Sequence, residues 1–188
     1  MQINDARKSK KNHIALALVC LLLQVMASPN IGMGNGRINF ALIYAGVYAL
    51  SVGGRRAVVA GFFAGLLYDA LSTGPFGVMS SLLTILSFAL GLEERNRFID
   101  GFVPSLSAFG VGSLLVQLFY HITLSMLGDG ASMVDIVLMR VLPAYAITFV
   151  CFLPFAYYEV RKGSGTRGKH AGGKSAGLRE NYYDLRNL

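Results

Sequence analysis

Charge is scarce in this chain. Only 14% of its 188 residues are Asp, Glu, Lys or Arg, where a soluble domain carries about 25%. With 54% hydrophobic residues and a mean hydropathy of +0.52, it has too little polar surface to cover a water-soluble globule. Cysteine is nearly missing too. Cys20 and Cys151 each sit inside an apolar block and read as small hydrophobes, not as a disulfide or a metal site. The three histidines, His13, His121 and His170, lie in separate regions, so no metal-ligand constellation forms. No nucleophile–base pair and no carboxylate dyad can be found either. The expectation is a protein that is not an enzyme and uses no cofactor or metal. Sustained period-2 alternation is also missing from every apolar block, which argues against an outer-membrane barrel.

What the chain does have is six apolar blocks, at residues 13–27, 38–52, 57–71, 76–92, 102–127 and 134–158. A spanning helix needs about 17–25 residues. The last two blocks meet that length, while the first three must borrow flanking residues or tilt in a thin bilayer. In lipid each segment has to satisfy its own backbone hydrogen bonds, which favours helices. The fold class expected is therefore an all-α membrane protein, a bundle of about six transmembrane helices. Its organisation reads as a basic N-terminal tail at 1–12, a six-helix domain at 13–160 and a basic, glycine-rich tail at 161–188. The last is expected to be disordered for lack of apolar residues.

Orientation follows from where lysine and arginine fall. Arg7, Lys8, Lys10 and Lys11 lie in the first tail, Arg55 and Arg56 in the second connection, and Arg95 and Arg97 in the fourth. Seven more lie in the last tail, from Arg161 and Lys162 to Arg186. If six helices alternate, fifteen of the seventeen basic residues share one side. Both termini are then cytoplasmic, in a multi-pass protein of an inner membrane. Tyr157 and Tyr158 fit an aromatic anchor at the inner interface. The N-terminus has the outline of a secretory signal, but five further blocks follow, so an uncleaved first helix is expected.

Gly168-Lys169-His170-Ala171-Gly172-Gly173-Lys174-Ser175 satisfies the P-loop pattern. That motif works when a strand delivers the loop and a helix receives it, so that backbone N–H groups converge on phosphate. No strand precedes it here and thirteen residues follow, so no nucleotide is expected. Nothing points to nucleic acid. The basic tail has a membrane-lipid reading instead, resting on anionic lipid at about 1 kcal/mol per basic residue.

The third block holds the clearest structural signal. Gly53, Ala57, Gly61, Gly65 and Asp69 recur at spacing four and trace one stripe down a helix. Small residues at this spacing let another helix approach closely, so Ala57, Gly61, Gly65 and Asp69 mark a helix-packing or partner interface. Packing within the chain is preferred over a homodimer face. A carboxylate facing lipid is costly, so Asp69 should turn inward or reach the outer interface. In the fifth block Ser113, Gln117, His121 and Ser125 form a polar stripe, and Arg140 enters the sixth. Asp69, His121 and Arg140 thus fall at similar depth on three helices. An Asp69–Arg140 pair is the expectation, with a substrate or proton site and snorkelling to the interface as the competing readings.

The segment from Gly61-Phe62-Phe63-Ala64-Gly65-Leu66-Leu67-Tyr68-Asp69 through Gly77 resembles the G-F-x-x-G-L-x-x-D-x-x-x-x-x-x-x-G hallmark of the MreD family of rod shape-determining membrane proteins. The first helix ending near Leu23-Gln24, the entry Arg37-Ile38-Asn39, Gly91 closing the fourth helix and Arg140-Val141-Leu142-Pro143 are similar to the family layout. The chain departs from it in having Asn39 without the proline often seen before the second helix, and in its long glycine-rich tail. The resemblance implies a non-catalytic scaffold of the cell-elongation complex. Its partners would be an MreC-like protein and the peptidoglycan-synthesis membrane proteins, a RodA-like glycosyltransferase and its transpeptidase. The alternative is the substrate-binding membrane component of an energy-coupling-factor vitamin transporter. Such components carry a small-residue stripe on the first helix, whereas here Ala15 and Ala17 are followed at spacing four by Val19 and Leu21.

Overall fold

The computed structural model describes residues 2–33, 36–92, 101–129 and 133–161. The P-loop-like stretch, the rest of the tail after Arg161, and Arg95 and Arg97 lie outside these residues. The described chain is mostly helical. Helix α1 (Gln2–Met26) leads into a small antiparallel hairpin, β1 (Gly32–Met33) and β2 (Gly36–Arg37), with Gly32 opposite Arg37. Then come α2 (Phe40–Ser51), α3 (Gly54–Leu71), α4 (Val78–Leu90) and α5 (Phe102–Leu124). The last helix, α6, runs over Val134–Arg161.

Helix α2 is the hub. Ten of its twelve residues are buried, from Phe40 to Ser51, as expected of a helix that is apolar all round. Twelve residues rise only about 18 Å, short of the roughly 30 Å hydrocarbon layer. The helix can be this short because α1, α3, α4 and α5 all pack against it. Its start is held by polar side chains. Asn39 caps it, Oδ1 accepting from the Leu42 amide at 2.9 Å. Gln24 of α1 accepts from the Phe40 amide at 2.8 Å, and Thr148 of α6 accepts from the Asn39 amide at 3.2 Å. Gly46 lies against the Phe109 ring of α5, which stacks on Phe152 of α6 with centroids 3.7 Å apart.

The contacts gather the ends of the elements at two poles. At one pole, the hairpin's Gly36 lies against α6, where a Cβ would meet the Arg140 carbonyl at 2.9 Å. Here too Tyr68 of α3 meets Tyr120 of α5 edge to face, centroids 5.8 Å apart. At the other pole, His13 of α1 meets Tyr48 of α2, centroids 5.2 Å apart, and the Gly54 amide donates to the Gly91 carbonyl at 2.7 Å. Helix α3 starts three residues before the apolar block does. Gly53 and Gly54 take positive φ of 67° and 61°, which closes the α2–α3 turn so tightly that Arg55 and Arg56 fall in the first helical turn.

Helix α6 is wound as a π-helix over Val137–Val141, and Pro143 follows directly. Proline has no N–H and its ring crowds the carbonyl four residues back. A locally wider winding relieves that crowding, and the Leu142 amide accordingly reaches the Val137 carbonyl.

Two helices are long and apolar enough to cross a membrane, Phe102–Leu127 and Val134–Arg161, with mean hydropathies of 1.6 and 2.1. Only 33% and 28% of those windows are buried, whereas the core helix of a soluble protein would be mostly buried. Large apolar side chains also cover the outside of the other helices, among them Leu18, Leu22, Phe63 and Phe88. Asn39, Asp69, Ser87, Ser113, Gln117 and Thr148 are buried instead.

Candidate functional site

The glycine stripe of α3 is consumed by α4. The two helices run antiparallel, and the small residues of the stripe meet small residues of α4 and its end. A Cβ on Gly91 would meet Ala57 Cβ at 3.2 Å and Gly53 Cα at 3.3 Å. One turn further, Gly61 sits on Ser87 and lies 2.8 Å, measured from an added Cβ, from the Leu83 carbonyl. Gly65 faces the backbone of Ser80, with the Ser80 nitrogen 2.7 Å and the Met79 carbonyl 2.8 Å from such a Cβ. No side chain fits at either glycine without moving α4, so contact this close requires Gly.

Asp69 ends the stripe, 2% exposed. Its Oδ2 accepts from the amides of Gly77 and Ser80, each at 3.0 Å, and its Oδ1 from Met79 at 3.1 Å. These are orphan donors at the start of α4. Gly77 occupies the N-cap position of α4 with φ 98° and no side-chain cap, so the carboxylate from α3 does a cap's work from eight residues upstream. A carboxylate in the last turn of α3 opposes that helix's dipole but faces the positive end of α4. The three direct hydrogen bonds, each charge-assisted, decide the balance.

The expected Asp69–Arg140 pair is therefore not the arrangement found. Both carboxylate oxygens are taken by α4, and Arg140, half-buried on the π-wound part of α6, is engaged elsewhere, as is His121. The structure brings together Ala57, Gly61, Gly65 and Asp69, and does not join His121 or Arg140 to them. The polar stripe of α5 is partly satisfied within its own helix, since Ser113 Oγ donates to the Gly110 carbonyl at 3.0 Å. Gln117, 3% exposed, leaves its buried Nε2 without a hydrogen-bond partner. Among the described residues no cluster of three His, Cys, Asp or Glu side chains could hold a metal ion.

Sequence reasoning missed two features. One is the Gln24–Asn39–Thr148 collar on α2. The other is a cavity of about 740 Å³ at the hairpin pole, lined by Arg37, Tyr68, Tyr120 and the α3–α4 loop. No sequence signal marked the Asp69 cap, because Gly77 before Val78 is itself an acceptable N-cap residue. Comparison with known protein families, with characterised proteins and with solved structures gives no match for this chain.

Proposed function

We propose that this chain is a six-span protein of the bacterial inner membrane with both termini in the cytoplasm, and a non-catalytic scaffold of the MreD type in the cell-elongation complex. The membrane part is supported by two long apolar helices that are mostly unburied, and by the apolar exterior and buried polar residues of the rest. The grouping of element ends at two poles suits alternating crossings. The basic connections and tails then mark the cytoplasmic side.

One observation carries the scaffold reading. Each marked glycine and acid of the segment that resembles the MreD hallmark has a structural task in the α3–α4 hairpin. Gly61 and Gly65 bring α4 close, Asp69 caps it, and Gly77 supplies the left-handed turn and one of the amides. That ties the motif to the stability of a rigid surface, as a scaffold needs, and not to chemistry. An MreC-like protein and the RodA-like glycosyltransferase with its transpeptidase are the partners this reading implies, with the step to cell shape resting on the resemblance.

The test is purification of the full chain from membranes in mild detergent, with identification of what accompanies it. Recovery of an MreC-like protein and wall-synthesis enzymes is the expected result. Recovery of an ATPase module with a bound vitamin would replace this reading with that of a transporter's substrate-binding component.

A further inference from the structure

At the pole opposite the hairpin, Arg55 and Arg56 are exposed on the first turn of α3. Neither forms an ion pair with a carboxylate among the described residues. Helix α3 begins without a side-chain cap and without an acid in its first turn, so its amides add partial positive charge at the same place. The two arginines, with Tyr48, Val59 and Ala60, line an open cavity of about 760 Å³.

A second cavity adjoins it. This one, of about 250 Å³, lies between α1, α2 and α3, and Ala17, Cys20, Ala41, Ala64 and Leu67 form most of its apolar wall. Ala60 lines both cavities, and Tyr44 of the second contacts Tyr48 of the first with ring centroids 5.7 Å apart. The two are one groove, cationic at its mouth and apolar in its depth, running along α3 toward the middle of the bundle. It exists because α1 packs chiefly on α2, leaving this side of α3 uncovered.

We propose that the groove binds one anionic phospholipid of the surrounding leaflet. Its phosphate sits against Arg55, Arg56 and the start of α3, and one acyl chain follows Ala60 and Ala64 into the slot. Charge decides the head, since two exposed arginines that pair with no carboxylate among the described residues favour an anion at a membrane surface, and guanidinium matches phosphate geometry. Size decides the tail. A slot of about 250 Å³ between three helices, walled by apolar side chains, suits a single file of methylenes and not a helix about 10 Å across. The inference rests on the membrane reading and is independent of the cell-shape reading.

The test is native mass spectrometry of the full chain in detergent, titrated with phosphatidylglycerol and with phosphatidylethanolamine of identical acyl chains. The first phosphatidylglycerol should bind more tightly, by up to roughly thirtyfold for two basic residues at a membrane surface. Arg55→Gln with Arg56→Gln should erase that preference, and Arg55→Lys with Arg56→Lys should keep most of it. Ala60→Phe, at the junction of the cavities, should weaken the first binding event about tenfold, as should Ala17→Phe from the α1 side, in protein that keeps wild-type helicity and stays monodisperse. Equal binding of the two lipids, or an unchanged preference in the Gln variant, would overturn the proposal. So would undiminished binding in well-folded Ala60→Phe and Ala17→Phe, which would mean charge attraction without a slot. Displacement of phosphatidylglycerol by a polyprenyl monophosphate at lower concentration would overturn the phospholipid assignment. Loss of lipid binding with partner co-purification intact would separate this site from the scaffold surface.

Discussion

Ser80, in the first turn of α4, donates its amide to the Asp69 carboxylate at 3.0 Å, and its backbone is also what Gly65 of α3 touches. One residue thus receives both the closest approach of the two helices and the cap that begins the second. Asp69 and Gly65 lie one turn apart on α3. Moving α4 away to admit a side chain at Gly65 would therefore pull the amides off Asp69, which couples packing and capping in one hairpin.

Asp69→Ala should be strongly destabilising. It strands three amides, two of them from buried residues, at roughly 1–3 kcal/mol for a buried unsatisfied group, so a total of about 2–4 kcal/mol is expected after relaxation. Asp69→Asn keeps one acceptor and should cost about half as much. Thermal unfolding in detergent checks the order, and equal midpoints for wild type and Asp69→Ala would refute the cap.

Asp69 and Arg140 should behave as independent sites. Because Asp69 binds α4 and not Arg140, the costs of Asp69→Asn and Arg140→Gln should add to within about 0.5 kcal/mol in the double variant. A double variant markedly more stable than that sum would restore the ion pair.

The two glycines should differ in whether they can be rescued. At Gly61 the obstacle to a Cβ includes the Ser87 hydroxyl, whereas at Gly65 it is the backbone of Ser80. Gly61→Ala should be destabilising and partly restored by Ser87→Gly, while Gly65→Ala should have no such partner. Either glycine to Leu should cost roughly 1–3 kcal/mol or more, and Leu66→Ile, off the stripe, should be mild. Protein level and unfolding temperature report all of these.

Topology can be read by reporter fusions. Fusions after Lys162 and within Arg95–Arg97 should report cytoplasm, and one at residues 128–130 should report the outside. A cytoplasmic signal from the last would break the six-span scheme.

Some of this protein was settled by sequence alone. Too few charges and six apolar blocks determine helices, because composition and block length are properties of the chain that folding does not alter. The spacing of Gly53, Ala57, Gly61, Gly65 and Asp69 determines a shared face, because the helical repeat fixes it in advance. What that face meets is not local information. Whether Asp69 would find Arg140 or the first amides of α4 depended on how the 72–77 loop returns the chain, and a cap supplied from eight residues upstream leaves no mark beside the helix it begins. Helix α2 shows the same limit. Its apolar block, 38–52, reads as one that must borrow flanking residues or tilt in order to span, and only the tertiary structure shows a twelve-residue helix enclosed by four others, with Gln24 and Thr148 holding its entry. The groove beside α3 likewise belongs to the tertiary structure alone, since an empty space between α1 and α3 is set by which helices pack together and not by any residue in either.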